Sequence, residues 1–248
     1  MNQVLLITGG SRGIGAATAL QAARNGYAVA VNYASQSLAA DEVVRTIRAG
    51  GGNAITVQAD VGDEAQVMAM FEKVDAKLGR IDALVNNAGV VDMQARVDEM
   101  SVARLERMLR INVVGSFVCA REAVRRMSTR HGGRGGVIVN LSSAAARLGS
   151  PGQYVDYAAS KGAIDVFTMG LAKEVGDEGI RVNAVRPGLI DTDIHASGGL
   201  PDRAAQLAPT VPMKRTGSAE EVAAAIIWLL SPASSYTTGS VIDVTGGR

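Results

Sequence analysis

Short apolar runs alternate with longer helical patterns along almost the whole chain. Apolar runs rich in Val, Ile, Leu and Ala predict buried strands at Val4–Ile7, Ala28–Tyr33, Ala54–Gln58, Ala83–Asn86, Val137–Leu141, Arg181–Val185 and Val241–Val244. The segments between them predict helices at Ala16–Asn25, Ser37–Ala49, Asp63–Leu78, Val102–Asn112, Gly115–Thr129, Val155–Val175 and Ser218–Leu230. Strands that alternate with helices form parallel sheets covered on both faces. The pattern therefore predicts an α/β protein with a doubly wound, seven-stranded parallel sheet.

No repeat, low-complexity tract or linker divides the chain, so residues 1–248 are expected to form a single domain. The exception to the regular pattern is the segment 188–215, which is rich in Gly and Pro and has only a short helical pattern at Asp202–Leu207. It follows the carboxyl end of a predicted strand, where ligands bind in such sheets. An ordinary long loop is possible, but the length and position favour a substrate lid.

Composition excludes several classes of partner. The formal net charge is +1, from 25 basic and 24 acidic residues, so no overall field favours nucleic acid or a membrane surface. The first residues lack the pattern of a signal peptide, and the apolar run Val222–Leu230 is far shorter than a membrane span. Cys119 is the single cysteine, and with His131 and His195 it does not make a zinc cluster. A cytoplasmic protein without a metal is expected.

A glycine-rich turn follows the first predicted strand. Thr8–Gly15 reads TGGSRGIG, and the helix Ala16–Asn25 comes directly after it. Such a turn directs backbone N–H groups and the positive helix end at a pyrophosphate. A glycine-rich turn by itself is also compatible with a simple tight turn. The next strand, Ala28–Tyr33, arrives at the spacing of a βαβ unit and favours the dinucleotide site.

Tyr157 and Lys161 lie one helical turn apart on the predicted helix Val155–Val175, so they share a face. An ammonium beside a phenol favours the phenolate and is expected to lower the phenol pKa from its usual value of about 10. A nearby hydroxyl, such as that of Ser143, could hold a substrate oxygen while the phenol exchanges its proton. The alternative is a surface lysine beside a tyrosine that only packs.

The chain resembles the short-chain dehydrogenase/reductase family along nearly its whole length. The motifs that carry the resemblance are Thr8–Gly15, Asp60-Val61, Asn86-Asn87-Ala88-Gly89, Asn112, Ser143, Tyr157, Lys161 and Pro187-Gly188, in the order and approximate spacing of the family. The likeness is greatest to the branch containing 3-oxoacyl-acyl-carrier-protein reductases and glucose 1-dehydrogenase-like proteins. It implies a Rossmann-like, three-layer fold and hydride transfer between a nicotinamide cofactor and a carbonyl or secondary alcohol.

The resemblance also implies the catalytic roles. Tyr157 is the general acid in reduction and the base in oxidation, while Lys161 lowers its pKa and bonds the nicotinamide ribose. Ser143 polarises the substrate carbonyl, and the rival Ser142 is assigned a structural role. One extra residue between Ser143 and Tyr157 departs from the family spacing. Asn112 corresponds to the asparagine that positions a water in a proton relay, although a helical or capping asparagine is the alternative.

The same resemblance implies the cofactor-binding residues. They follow the strand ends in chain order: Gly9, Ser11, Arg12, Gly13, Ile14, Gly15, Asn32, Tyr33, Ser35, Asp60, Val61, Asn86, Ala88, Gly89, Tyr157, Lys161, Pro187, Gly188, Ile190 and Thr192. Asp60 and Val61 are expected at the adenine. Asn86, Ala88 and Gly89 are expected on the adenosine side. Pro187, Gly188 and Ile190 are expected at the nicotinamide amide, and Thr192 at the amide or the pyrophosphate.

Charge favours NADP over NAD. NAD-specific sites usually have a carboxylate at the end of the second strand, where it bonds the ribose 2′-OH and would repel a 2′-phosphate. Here that position is Tyr33, and no carboxylate lies between Ala28 and Ala40. Arg12 lies inside the glycine-rich turn, where its guanidinium can bind the phosphate. A solvated loop arginine is the alternative for Arg12.

The leading hypothesis is an NADP-dependent oxidoreductase that acts on a small-molecule carbonyl or alcohol and assembles as a homotetramer. The alternatives are a 3-oxoacyl-[acyl-carrier-protein] reductase and a non-catalytic NADP-binding regulator; an epimerase or dehydratase is disfavoured by the chain length. Arg130 and Arg134 could supply part of a basic patch for the acidic carrier protein. Glu178, with Asp177, is expected to repel that partner.

Overall fold

The computed structural model describes residues 3–192 and 206–248. Within these ranges the strands are β1 (Val4–Ile7), β2 (Ala28–Tyr33), β3 (Ala54–Gln58), β4 (Ala83–Asn86), β5 (Gly136–Leu141), β6 (Ile180–Pro187) and β7 (Val241–Val244). They form one parallel sheet in the order β3-β2-β1-β4-β5-β6-β7. The prediction of a Rossmann-like, doubly wound sheet of seven strands is confirmed.

The described helices alternate with these strands. They are α1 (Gly13–Arg24), α2 (Ser37–Ala49), α3 (Glu64–Leu78), α4 (Val102–Leu109), α5 (Gly115–Met127), α6 (Ala145–Leu148), α7 (Val155–Val175) and α8 (Ala219–Leu230). A π-helical turn at Arg110–Val114 joins α4 directly to α5, so the two predicted helices follow one another without a loop.

Alternation within each strand explains why both faces of the sheet are covered. In β1, Val4 and Leu6 belong to one hydrophobic core, whereas Leu5 and Ile7 belong to the other. Successive strand side chains point to opposite faces, so an entirely apolar strand needs helices on both sides. One core packs against α3, α5 and α7, and the other packs against α1, α2 and α8.

Side-chain caps fix the starts of two helices. The Asp63 carboxylate accepts a hydrogen bond from the Gln66 backbone N–H at the start of α3. Ser218 and Glu221 form a reciprocal capping box at the start of α8. Such caps satisfy backbone N–H groups that have no partner inside the helix.

The expectation for Glu178 is wrong in one respect. Its side chain is buried, accepts a hydrogen bond from Ser128 and pairs with the Nε of Arg130 at 3.2 Å. Glu178 therefore belongs to the packing between the end of α5 and the start of β6, rather than to an exposed acidic surface. Because Arg130 is its partner, the charge of each is largely compensated.

The predicted lid at 188–215 includes residues 193–205, which lie outside the described residues, so the lid stays a prediction. On its described flanks, Leu189, Leu207 and Val211 form a small apolar cluster. No helix within the described ranges is long and apolar enough to cross a bilayer.

Candidate active site

Two cavities lie at the carboxyl edge of the sheet, beside the crossover between β1 and β4. The glycine cavity lies against the turn after β1 and the ends of β2 and β3, and the tyrosine cavity lies against the end of β5 and the start of α7. Ile14, Asn87, Gly89 and Thr192 line both cavities. The two cavities therefore form one continuous cleft, at the position where doubly wound sheets bind ligands.

Most of the predicted site residues line this cleft. In the glycine cavity they are Gly9, Ser11, Arg12, Gly13, Ile14, Asn32, Tyr33, Ser35, Asp60, Val61, Ala88, Gly89 and Thr192. In the tyrosine cavity they are Ser143, Tyr157, Lys161, Pro187, Gly188 and Ile190. Three predicted residues line neither cavity: Gly15, Asn86 and Asn112.

The glycine-rich turn has a local geometric requirement for glycine. Gly9 and Gly13 have φ of 61° and 53°, in the left-handed region that side chains disfavour. A Cβ atom at Gly15 would lie 2.4 Å from the Gly9 carbonyl oxygen and 2.6 Å from Asn87 Nδ2. Gly15 thus shapes the turn from inside instead of contacting the cavity.

Thr8 and Asn87 were not predicted as site residues, yet they join the two halves of the cleft. Thr8 Oγ1 accepts hydrogen bonds from the backbone N–H groups of Asn87 and Ala88, both at 3.0 Å. Asn87 Nδ2 donates to the carbonyl oxygens of Thr8 and Gly9 at 2.9 and 2.8 Å. The signal in the sequence was a polar side chain directly after each apolar strand.

Asn32 and Asn86 make structural contacts at the strand ends, and Asn32 also lines the glycine cavity. Asn32 Oδ1 accepts from the Gly9 N–H at 3.0 Å, and its Nδ2 donates to Val57 O and Ala59 O. Asn86 is buried beneath the cleft and donates to Asn140 Oδ1 at 3.0 Å. Both side chains support the strand ends that carry the cleft.

Of the residues that the structure describes, three arginines and one carboxylate line the glycine cavity, and one of the arginines, Arg107, also pairs with Asp92 at 3.2 Å. Arg12, Arg107 and Arg110 line it beside Tyr33 and Ser35, and Asp60 is the carboxylate among its described lining residues. The Oδ1 of Asp60 accepts a hydrogen bond from the Gly62 N–H at 2.8 Å. The cavity therefore suits an anionic ligand.

Ser143 and Tyr157 both line the tyrosine cavity, and the hydroxyl of Ser143 is near enough to the phenol to act on its pKa as a hydrogen-bond partner. Ser143 follows β5, whereas Tyr157 lies in the first turns of α7. The neighbouring Ser142 is buried and donates to the Lys161 carbonyl oxygen at 3.3 Å. The arrangement thus brings Ser143, and not Ser142, to the phenol.

Lys161 is buried below Tyr157. Its Nζ donates to the Leu141 carbonyl oxygen at 2.7 Å and lies 5.7 Å from the centroid of the Tyr157 ring. Burial lowers the pKa of Lys161 to about 8, while the carboxylate of Asp165 acts in the opposite direction. Lys161 therefore links the end of β5 to α7.

The pKa of Tyr157 differs from the expectation. Burial raises this pKa above its ordinary value, and the hydrogen bond from Ser143 is the contact that lowers it. The predicted lowering by Lys161 is not seen, because desolvation of the phenolate is the largest effect on this pKa and the contact that opposes it comes from Ser143. A phenol with a raised pKa remains protonated near neutral pH.

Asn112 lies in the π-helical turn and is fully buried. Its Oδ1 accepts from the Val90 N–H at 2.8 Å, and its Nδ2 donates to Val90 O and to Ser160 Oγ at 2.9 and 3.1 Å. Ser160 Oγ in turn donates to the Tyr157 carbonyl oxygen at 2.7 Å. The side chain of Asn112 thus holds the loop after β4 against α7.

A cleft of this type with a Tyr, Lys and Ser cluster at one end is typical of Rossmann-type oxidoreductases that use a nicotinamide cofactor. A family model described as enoyl-(acyl carrier protein) reductase matches residues 9–248. The chain belongs to the short-chain dehydrogenase/reductase family, and the predicted branch that includes 3-oxoacyl-acyl-carrier-protein reductases is confirmed.

Individual relatives cover nearly the whole chain. An uncharacterised oxidoreductase of Escherichia coli, YgfF, is 56% identical over 99% of both chains. A 3-oxoacyl-[acyl-carrier-protein] reductase of Synechocystis is 41% identical over 99% of this chain and 96% of its own. The crystal structure of a short-chain dehydrogenase from Burkholderia cenocepacia in complex with NADP superposes with a TM-score of 0.90, 33% identity, and coverage of 99% of this chain and 97% of that one.

The contact between Ser143 and Tyr157 predicts a specific titration. Ser143→Ala should raise the pKa of Tyr157 further, because it removes the hydrogen bond that stabilises the phenolate. Ser142→Ala should leave that pKa unchanged, since its hydroxyl bonds a backbone carbonyl instead. Carbon NMR of tyrosine labelled at Cζ, assigned with Tyr157→Phe, measures both. An unchanged or lowered pKa in Ser143→Ala would contradict the arrangement.

Proposed function

We propose that the protein is an NADP(H)-dependent oxidoreductase that interconverts a carbonyl and a secondary alcohol. The observation that carries this proposal is that Ser143, Tyr157 and Lys161 line one cavity, in a cleft that continues to the glycine-rich turn. NADP(H), when bound, supplies or accepts the hydride.

The residues of the chain handle the substrate oxygen. Ser143 donates a hydrogen bond to the carbonyl and so polarises it. Tyr157 gives its proton to that oxygen during reduction and takes it back during oxidation. A raised phenol pKa keeps Tyr157 protonated near neutrality and therefore suits the general acid of reduction. Lys161, close to Tyr157, is the group expected to bond the nicotinamide ribose.

Several features support NADP as the cofactor. Because Gly15 allows a tight turn, α1 begins at the cleft, where its N–H groups can face a pyrophosphate. No carboxylate stands beside Tyr33 and Ser35 along the chain at the end of β2, and Arg12 lines the same cavity. A 2′-phosphate there would meet the positive charge of Arg12, although Asp60 also lines the cavity. The Burkholderia relative was crystallised in complex with NADP.

The substrate class is a small carbonyl compound. Apart from the catalytic groups, Val91, Ala144, Leu148, Tyr154 and Leu189 contribute to the tyrosine cavity, so most of its lining is apolar. Such a pocket orients a substrate through a few polar groups. This argues for a compact ketone with an apolar body.

Reduction of a 3-oxoacyl group on acyl carrier protein is the second candidate, favoured by the name of the Synechocystis relative. Because Glu178 pairs with Arg130, it is not a free surface charge, and its expected repulsion of the carrier is weaker. The same pairing also reduces the basic patch available to attract the carrier. A non-catalytic regulator is disfavoured because the complete Ser, Tyr and Lys cluster is present.

We further propose that the protein assembles as a homotetramer, built partly through α5 and α7. Val114, Phe117, Val166 and Met169 are between 42 and 66% exposed on these helices and the turn before α5. Phe117 stacks on Phe167 with ring centroids 3.7 Å apart, which joins the two helices into one apolar surface. Contiguous apolar patches of this kind mark protein interfaces.

Tyr157→Phe tests the catalytic assignment. Turnover with a panel of ketones, sugars, steroids and 3-oxoacyl thioesters, free and carrier-bound, should fall by about 10²- to 10⁴-fold, because the proton donor is lost. Binding of NADPH, followed by fluorescence titration, should hardly change. Tyr154→Phe, in the same cavity, is the matched control and should retain most of the activity. Substantial turnover by Tyr157→Phe would refute the role.

The proposal predicts a preference for NADPH over NADH. Wild type should show a higher kcat/KM with NADPH than with NADH, by roughly tenfold or more, since a hydrogen bond to a charged group contributes about 1.5–3 kcal/mol. Tyr33→Asp combined with Arg12→Ala should reverse the preference. Arg24→Ala, at the other end of α1, should leave it unchanged. A wild type that uses NADH equally well would overturn the assignment.

Assembly can be measured by size-exclusion chromatography with light scattering. A mass near four times the chain mass of 25.6 kDa is expected. Val166→Glu should dissociate the assembly, because it places a charge in the apolar patch. Leu38→Glu, at a still more exposed apolar position on α2, should not. A stable wild-type monomer would exclude the tetramer.

A further inference from the structure

We propose that Arg104 and Asp156 form a positioning pair that sets the geometry of Tyr157 for proton transfer. The inference rests on the proposed function, because it assigns to these residues a role in the same reaction. Neither residue lines the cleft, so they act through the elements they hold.

The contact between them is bidentate and almost excluded from solvent. Arg104 Nε lies 2.7 Å from Asp156 Oδ2, and Nη2 lies 3.2 Å from Oδ1. The side chains are 11% and 3% exposed, respectively. A planar guanidinium that grips both oxygens of a carboxylate fixes direction as well as distance. The pair therefore constrains the orientation of the element that carries Asp156.

That element is the first turn of α7. The helix begins at Val155. The first backbone N–H groups of a helix have no partner inside the helix, and helix ends tend to fray. Asp156 immediately precedes Tyr157, so the salt bridge anchors the turn that bears the phenol.

The same guanidinium also holds the opposite wall of the cleft. Arg104 Nη1 donates to the Met93 carbonyl oxygen at 2.6 Å, in the loop after β4. Val91, two residues earlier in that loop, lines the tyrosine cavity. Arg104 on α4 thus connects the loop with the start of α7 and sets the width of the cavity between them.

A purely structural ion pair would stabilise the fold without a specific effect on Tyr157. The pair Arg126–Asp75 provides the comparison, with Nε and Oδ2 also 2.7 Å apart and side chains 18% and 35% exposed. Arg126 lies in the last turn of α5, beside the start of β5 and so at the sheet edge opposite the cleft. Loss of this pair should affect stability alone.

The experiment compares Asp156→Asn, Arg104→Lys and Asp75→Asn in the full-length protein. Asp156→Asn should lower kcat by tenfold or more, while the Kd for NADPH changes by less than about threefold. Arg104→Lys keeps the charge but not the fork, so it should give an intermediate kcat. Asp75→Asn should change kcat by less than about twofold, whatever its effect on urea unfolding.

A readout without turnover separates this inference from the proposed function. The NMR signal and titration of Cζ-labelled Tyr157 should shift in Asp156→Asn and Arg104→Lys but not in Asp75→Asn. If wild type reduces none of the carbonyls tested, the proposed function fails while the titration still tests the pair. Unchanged kcat and Tyr157 titration in both variants, or equal changes in Asp75→Asn, would overturn the inference.

Discussion

The hydrogen bonds between Thr8 and the Asn87 segment are the interaction on which the rest of the site depends. The strands β1 and β4 are neighbours in the sheet, and the chain turns in a different direction after each of them. Thr8 Oγ1 satisfies two N–H groups of the second turn, and Asn87 Nδ2 satisfies two carbonyls of the first. These bonds replace water at a nearly buried edge, where an unpaired backbone group is costly. They therefore keep the cleft open between the strands.

The opposite wall of the cleft is held from α7 in a similar way. Asn112 reaches Tyr157 through Ser160, Lys161 bonds the Leu141 carbonyl at the end of β5, and Arg104 grips Asp156. All three contacts fall within two turns of one helix. Burial of those turns raises the pKa of Tyr157 and lowers that of Lys161, since a charged form loses hydration in each case. The packing that orients the phenol also decides its protonation state.

Neighbouring residues in one motif make different contacts and therefore have different roles. Asn86 and Asn87 are adjacent, but successive side chains point to opposite faces. Asn86 therefore lies in the buried layer with Asn140, whereas Asn87 lies at the cleft. Ser142 and Ser143 divide in the same manner, one bonding Lys161 O and the other Tyr157. A motif identifies the strand end, whereas the turn geometry selects the residue that faces the ligand.

The amino-acid sequence by itself determined the order of strands and helices, the doubly wound sheet, the glycine turn and the Tyr157, Lys161 and Ser143 cluster. These features depend on local periodicity, on glycine's access to positive φ and on residues placed in order along the chain. Only the tertiary structure decided that Asn32 and Asn86 support the strands, that Glu178 is buried against Arg130, and that the Tyr157 pKa is raised. Each of those outcomes depends on which side chains meet across large separations in sequence, and on how much water their packing excludes.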